Sequence, residues 1–514
     1  MYTGRRNGIH VKTLLTATLL WPLALSAATN CADLASLSLP NLTVTSAAAV
    51  AAGEFTSPNP GRGPNAANAF KKVPAFCRVM ARLKPTSDSD IKIEVWMPAS
   101  GWNGKLQSVG NGAFAGAIGY PALGTAITAG YAAASTDTGH EGGAGDFVVG
   151  HPERLIDFAW RAVHEMTVAA KGIISAYYAS APKYSYWNGC STGGRQAMAE
   201  AQRFPADYDG IIAGAPASYV TRLQATQITI SQATHKNEAS YIPPEKYPLI
   251  HNAVLEKCDM LDGVKDGVLE DPTRCRFDPK VLECKDGADN SQCLTPPQVQ
   301  LARTVYAGLV SGKGDHLFPG LEPGSELGWN SLSGPQPMSY AIDIYRYFAL
   351  NEPKWDYLTF NVDTDLPKAE KAISGTMNSI DPNLRPFISR GGKLLQYHGW
   401  SDNGIPAESS VNYYNNVLEM MGGAVNVKDN YRLFMVPGMF HCGGGDGTST
   451  FDMVAALDEW VVNKKAPDSI PASRVRNGVV DRTRPLCPYP QIGVYKGSGS
   501  TDEAGNFSCR LPTN

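Results

Sequence analysis

The stretch YWNGCSTGGRQAMAEAQRFP, residues 186–205, constrains the chain more than any other. KYSYWNGC (183–190) reads as a strand, and GRQAMAEAQRF (194–204) is a strong helix former. Between them Gly189, Ser191 and Gly193 form a Gly-x-Ser-x-Gly pattern, with Cys190 and Thr192 at the variable positions. A serine held between strand and helix, with glycines on both sides, fits a turn too tight for neighbouring Cβ atoms. Such a turn lifts the hydroxyl clear of the sheet, and the helix N-terminus beyond it favours developing negative charge. Short glycine patterns also arise by chance in a chain with 51 glycines. The strand–turn–helix context is what favours a nucleophile over an ordinary turn.

Further strand signals surround this element. IKIEVWMP (91–98) alternates apolar residues, GKLQSVGNGAF (104–114) reads as a strand running into a Gly-rich loop, and GYAAASTDTGH (130–140) is a short strand with turn residues after it. Residues 154–181 carry a helical apolar spacing. KLLQYHG (393–399) and YRLFMVP (431–437) are two later strands. Strands alternating with helices predict an α/β fold, a mainly parallel sheet covered on both faces. Residues 29 to about 75, rich in Ala, Ser, Pro and Asn, read as an irregular N-terminal arm. From about 218 to 389 the chain carries four cysteines, many prolines and glycines and scattered aromatics, and reads as one long insertion between sheet elements.

A serine hydroxyl needs a base, and the base needs an orienting carboxylate. In sheets of this kind the chain order is Ser, acid, His, each at a strand's C-terminal end. YHGWSDNGIP offers Asp402, and VPGMFHCGGG offers His441. His398 lies inside a predicted strand and reads as a packed, hydrogen-bonded histidine; Asp446 is a weaker rival acid. The hydroxyl and imidazole of such a pair must meet, so Cys190 and Cys442, their chain neighbours, must also come close. A disulfide between them would hold nucleophile and base in register.

Net charge is −3 with no basic tract, which argues against nucleic acid. Arg5, Arg6 and Lys12 precede an apolar run from Leu14 to Leu25 and then Ser26-Ala27-Ala28. That is an export signal with a small-residue cleavage site, and the apolar run is short of the ~20 residues a membrane span needs. An exported chain, secreted or periplasmic, with ten cysteines and no C-x-x-C pair points to disulfides rather than metal thiolates. Spacing favours local loops Cys258–Cys275, Cys284–Cys293 and Cys487–Cys509, leaving Cys31–Cys77 to tie down the N-terminal segment. In CDMLDGVKDGVLED, Asp259, Asp262 and Asp266 alternate with Val264 and Val268. Carboxylates and carbonyls at that spacing suit Ca²⁺, although the EF-hand pattern does not fit; a solvated acidic loop is the other reading.

Cys-Ser, then Asp, then His-Cys, in an exported chain, resembles the tannase and feruloyl esterase family, which includes bacterial mono(2-hydroxyethyl) terephthalate hydrolases. WNGKLQSVGNGAFAG, GCSTGGRQAMAEAQRFPADYDGIIAGAPA, CDMLDGVKDGVLEDP, YHGWSD, VPGMFHC and RTRPLCPYPQIGVYKGSG carry the resemblance over nearly the whole chain after the signal. It implies an α/β-hydrolase core (29–217 and 390–514, after a signal at 1–28) with a lid domain at 218–389, inserted between the nucleophile and acid elements. It implies the bridge Cys190–Cys442 and the four other pairings. It implies a structural Ca²⁺ in the lid on Asp259, Asp262, Val264, Asp266 and Val268. An oxyanion hole is expected from the backbone N–H groups of Thr192 and Ala113, the second where the family often has glycine.

The implied reaction is hydrolysis of a small aromatic ester, free or attached to plant polysaccharide, through an acyl-enzyme on Ser191. Hydroxycinnamate esters are the favoured class, with gallate esters and terephthalate monoesters as alternatives. Lid aromatics (Trp329, Tyr345, Tyr347, Phe348, Trp355, Phe360) would stack on the acyl group or, as the plainer reading of each, form lid core. Arg346 is a candidate contact for a carboxylate or phenol oxygen. A non-catalytic, calcium-stabilised binding protein and an acyltransferase are the readings from other classes. An intact Ser191, Asp402 and His441 argue against the first, and partition of product to an added alcohol separates the second.

Overall fold

The computed structural model describes residues 1, 3–4, 29–58, 70–114, 116–285 and 290–512. The expected export signal lies almost wholly outside them. Nine strands form the central sheet. In chain order they are Leu42–Val50 (β1), Phe76–Leu83 (β2), Ile91–Pro98 (β3), Lys105–Val109 (β4), Ala132–Thr136 (β5), Tyr184–Cys190 (β6), Gly210–Gly214 (β7), Lys393–Gly399 (β8) and Tyr431–Val436 (β9). Their spatial order is β1-β2-β3-β5-β4-β6-β7-β8-β9. From β5 across to β9 every neighbouring pair is parallel. β1, β2 and β3 join by antiparallel pairings.

Period-two alternation sets the two faces. Trp187, Ile211, Leu394 and Leu433 face one side, packed with Met166 and Ile173 of the helix Ala162–Tyr178 and Met198 of the helix Thr192–Arg203. Tyr186, Ile212, Leu395 and Phe434 face the other, against Leu123 and Ile127 of the helix Tyr120–Thr128 and Leu457 and Trp460 of the helix Met453–Asn463. Burial on both faces explains why these strands read as apolar runs. This is the α/β-hydrolase fold.

The N-terminal arm is not irregular throughout. β1 is a nine-residue edge strand, and Cys31–Ser36 is a 3-10 turn stapled to β2 by Cys31–Cys77. Its sequence, LTVTSAAAV, hides it: an edge strand that buries little needs no large apolar residues. The C-terminal antiparallel strands Ile470–Arg476, Val479–Leu486, Ile492–Tyr495 and Phe507–Arg510 also lacked a sequence signal.

The insertion leaves the sheet after β7 and returns at β8, its lateral neighbour. It has its own core around Ile230, Tyr247, Ile250, Val299 and Trp329. A second cluster joins Phe348, Trp355 and Phe360 to Phe114 and Phe158 of the sheet-bearing part, so the insertion packs onto the fold rather than hanging from it. The disulfides are Cys31–Cys77, Cys190–Cys442, Cys258–Cys275, Cys284–Cys293 and Cys487–Cys509, and no described cysteine is free. Five bridges suit an oxidising compartment. No described helix is long and apolar enough to cross a membrane.

Candidate active site

Ser191 sits between β6 and the helix Thr192–Arg203 with φ 65° and ψ −121°. That backbone is strained for any residue but glycine, and its surroundings hold it there. The Ser191 N–H donates to the Gly214 carbonyl (3.0 Å), and the Ser191 carbonyl accepts from Ala217 (3.2 Å). The glycines are there for space. A Cβ on Gly189 would meet the Gly193 carbonyl carbon at 2.6 Å, and one on Gly194 would meet the Gly214 oxygen at 2.2 Å.

Asp402 follows β8 and is buried, while His441 follows β9 and is part-buried. His441 Nδ1 donates to Asp402 Oδ2 at 2.8 Å. Asp402 Oδ1 accepts the N–H groups of Gly404 and Ile405, each at 2.8 Å. Burial pushes the Asp402 pKa up, but the His441 charge and hydrogen bonds from His398 and His441 outweigh it and hold the group well below the usual carboxylate range. Burial works against the charged form of His441, yet the Asp402 charge and hydrogen bond raise its pKa overall. Cys190 and Cys442 are bridged, with Cα atoms 6.0 Å apart. The residues next to Ser191 and His441 are thereby fixed against each other. The Ser191 hydroxyl makes no hydrogen bond to His441 here; such contacts often tighten only when substrate binds. Asp446 instead pairs with Arg476 (3.4 Å), which takes it out of contention as the acid.

His398, read from sequence as a packed histidine, is fully buried and has a definite place. The Tyr431 hydroxyl donates to Gln396 Oε1, Gln396 Nε2 donates to Ser410 Oγ (2.7 Å), and the Ser410 hydroxyl donates to His398 Nδ1 (2.7 Å). That leaves the His398 proton on Nε2, which donates to Asp402 Oδ2 (3.1 Å). The tautomer follows from the donors and acceptors of the chain.

The loop after β4 approaches the same helix N-terminus. Neither the Thr192 nor the Ala113 backbone N–H donates to another described residue. Ala113 has φ 47°, in the left-handed region, which accounts for glycine being the easier residue there. Side chains that sequence reasoning missed pin this loop. The Thr192 hydroxyl donates to the Ala113 carbonyl (3.0 Å), and Gln196 exchanges hydrogen bonds with the Asn111 N–H and side chain, both 3.1 Å. Buried His140 donates from Nε2 to the Phe114 carbonyl (2.6 Å). Burial keeps the His140 pKa below its ordinary value, as a neutral donor requires. No local spacing announces these residues; only the fold brings them to the loop.

The lid aromatics turn out to be mostly core. Trp329 and Tyr345 are fully buried, and Phe348, Trp355 and Phe360 nearly so. Arg346 donates to the Trp355 carbonyl (3.2 Å) and lies 3.7 Å from Asp343, which places it in lid structure.

Asp259, Asp262 and Asp266 share one loop, with Gly263 and Gly267 at φ 86° and 78°. Asp259 accepts the N–H groups of Asp266 (3.3 Å) and Gly267 (3.0 Å); Asp262 accepts that of Val264 (2.9 Å), and Asp266 that of Val268 (3.2 Å). Burial, and then the Asp266 and Asp259 charges, push the Asp262 carboxyl up to about 6. Asp262 therefore has negative charge around it that a hard cation would answer. Asp266 is partly committed, to Arg484 at 2.5 Å and Arg482 at 3.4 Å. Among the described residues no three acidic, His or Cys side chains converge as a metal cluster. An ion here would lean on Asp262, Asp259 and backbone oxygens.

Sheet, insertion and strand-end residues together define a serine-type ester hydrolase of the α/β-hydrolase class. The family model for tannase and feruloyl esterase matches residues 77–510, and the chain belongs to that family. An uncharacterized esterase of Xanthomonas campestris pv. campestris is 38% identical over 559 residues, covering 98% of this chain and 95% of the relative. A probable feruloyl esterase B-2 of Neosartorya fischeri is 35% identical, covering 84% and 86%. The crystal structure of feruloyl esterase B from Aspergillus oryzae superposes with a TM-score of 0.87 at 32% identity, over 93% of this chain and 99% of that one. Tannin acyl hydrolase from Aspergillus niger shares the fold, with a TM-score of 0.75 at 24% identity over 93% of each chain.

Proposed function

We propose that the protein is an exported hydrolase of hydroxycinnamate esters that works through Ser191, His441 and Asp402. The observation that carries the reading is the His441–Asp402 hydrogen bond on a loop bridged, one residue along, to the neighbour of Ser191. His441 Nε2 takes the Ser191 proton as Oγ attacks the ester carbonyl carbon, whose π electrons move to oxygen. The Thr192 and Ala113 N–H groups receive that oxyanion. Collapse expels the alcohol, which takes the proton from His441, and leaves the acyl group on Ser191. Water then attacks the acyl-enzyme with His441 as base, releasing the acid. Asp402 stays ionised and holds the imidazole's tautomer.

The choice of a hydroxycinnamoyl acyl group rests on relatives named as feruloyl esterases at 34–35% identity and on the feruloyl esterase structure. The likeness to tannin acyl hydrolase, at 24% identity, speaks for fold alone. Asp259 and Asp262, with the carbonyls of Val264 and Val268 and what Asp266 can spare from Arg484 and Arg482, would hold a structural Ca²⁺. It would cross-brace the insertion and play no part in the reaction.

Turnover of methyl ferulate, methyl caffeate, methyl gallate and a terephthalate monoester by wild type and Ser191→Ala tests the reading. The two hydroxycinnamates should turn over fastest and Ser191→Ala should be inactive on all four. Preference for gallate or terephthalate would overturn the substrate class. Activity retained by Ser191→Ala would overturn the mechanism.

A further inference from the structure

On the sheet face carrying Tyr186, between the helices Tyr120–Thr128 and Met453–Asn463, lies a cleft of about 770 Å³. That is within the usual range for small-ligand sites, roughly 300–1,000 Å³. No described residue of the insertion lines it, and neither Ser191, Asp402 nor His441 does. It is separate from the ester site.

The floor of the cleft is polar without being paired. Gln107 of β4 is only 4% exposed, lines the cleft, and its side-chain amide bonds to no described residue. The Asn188 amide of β6, two residues along the sheet register, is likewise unpartnered, as are the hydroxyls of Tyr131 and Tyr397. Gln107 and Tyr131 are more than nine-tenths buried, where polar groups normally have partners, and Asn188 and Tyr397 are half-buried. Four together, facing one hollow, mark a surface made to be satisfied by something else. Tyr131, Tyr397 and Phe451 supply ring surface, the last two meeting edge to face at 5.3 Å.

The charges narrow the occupant. Among the described residues no lysine, arginine or histidine lines the cleft, and the nearby Lys105 is taken up by Asp458, so no described cation there is free for a phosphate or a carboxylate. Asp458 is neutralised by Lys105 (2.5 Å) and also accepts from Tyr186 (2.7 Å), and Asp452 caps a helix through the Ala455 N–H (2.9 Å). What the cleft offers is amides and phenols, which both donate and accept, beside ring faces. We propose that it binds a neutral sugar residue, whose hydroxyls donate and accept in turn and whose C–H faces rest on aromatic rings.

The test is titration of the full chain with methyl β-xylopyranoside and xylotriose, followed by saturation-transfer NMR and calorimetry, with choline and benzoate as comparison probes. It is run on wild type, on Gln107→Leu, and on Tyr131→Phe, which removes a single oxygen and so guards against a folding defect. Sugar binding to wild type is expected, weakened about tenfold in each variant, the value of one lost hydrogen bond of about 1.4 kcal/mol. Hydrolysis of methyl ferulate, which carries no sugar, should be unchanged in Tyr131→Phe. Absence of sugar binding, binding of choline or benzoate in its place, or equal sugar affinity in wild type and both variants would each overturn the proposal. None of these results depends on whether Ser191 is the nucleophile.

Discussion

Replacing both halves of the Cys190–Cys442 bridge by alanine isolates its two effects. The bridge spans a sequence separation of 252, the largest of the five. In the chain-entropy treatment, closing a loop of that length in the unfolded chain is worth about 5.5 kcal/mol at 25 °C. Cys487–Cys509, with a separation of 22, is worth about 3.4 kcal/mol by the same relation. The Cys190→Ala/Cys442→Ala variant should therefore lose about 2 kcal/mol more unfolding free energy than Cys487→Ala/Cys509→Ala. Guanidinium unfolding, followed by tryptophan fluorescence in all three proteins, reads the difference. The second effect is kinetic. Without the bridge, the hydrogen bonds of His441 to Asp402 and Asn403 and the strand ends are left to hold base to nucleophile, and a misplacement of about 1 Å costs roughly a hundredfold. The kcat for methyl ferulate should fall by about that factor in the first variant, and stay within about twofold of wild type in the second. Equal stability losses, or an unchanged kcat in a folded Cys190→Ala/Cys442→Ala protein, would refute the reasoning.

His441 must be neutral to act as base, and its pKa is raised, so the acidic limb of the kcat/KM profile should lie above pH 6.5. Asp402→Asn removes the charge that raises it; the limb should move to lower pH and kcat fall by roughly ten-thousand-fold, read from pH–rate profiles. In folding, the raised His441 pKa contributes stability below pH 6.5 that is lost as pH rises through its folded value. The depressed Asp402 pKa contributes stability above pH 3.8 that is lost as pH falls through its folded value. Thr192→Val removes the hydroxyl that holds the Ala113 carbonyl, so kcat should fall about tenfold with KM nearly unchanged, in steady-state kinetics. Asp262→Asn, or removal of calcium by chelation, should lower the melting temperature and leave kcat at 25 °C intact. Elemental analysis of purified wild type should find one calcium per chain, and its absence would refute the ion.

The parallel strands were legible because each is buried on both faces and ends in turn residues: the structure begins and ends β8 where KLLQYHG does, and antiparallel β3 matches the alternating IKIEVWMP as closely. The strand-end positions of Ser191, Asp402 and His441 were legible for a related reason. Each follows a strand, and chain order alone then limits which role each can take. β1 was not legible, because an edge strand of alanine and threonine buries too little to leave a pattern. Nor were His140, Gln196 and the Tyr431–Gln396–Ser410 relay. Each acts at a distance along the chain on a backbone group or side chain that only the folded sheet brings near. The aromatics between 329 and 360 met the plainer of their two readings: burial makes five of the six core.

The insertion joins two strands that lie side by side, and this sets a timetable for the emerging chain. At ~5–20 residues per second, the roughly 180 residues between β7 and β8 take ten to thirty-odd seconds to synthesise. Whenever the chain meets its folding compartment N-terminus first, β7 waits with one edge unpaired, open to any strand that passes. The insertion's own apolar centre gives that interval something to do, since it can close before β8 arrives. Cys190 waits longer still, because its partner lies beyond β9. The thiol beside Ser191 is thus among the last to be oxidised, and until then it is free to pair wrongly with the four cysteines made in between.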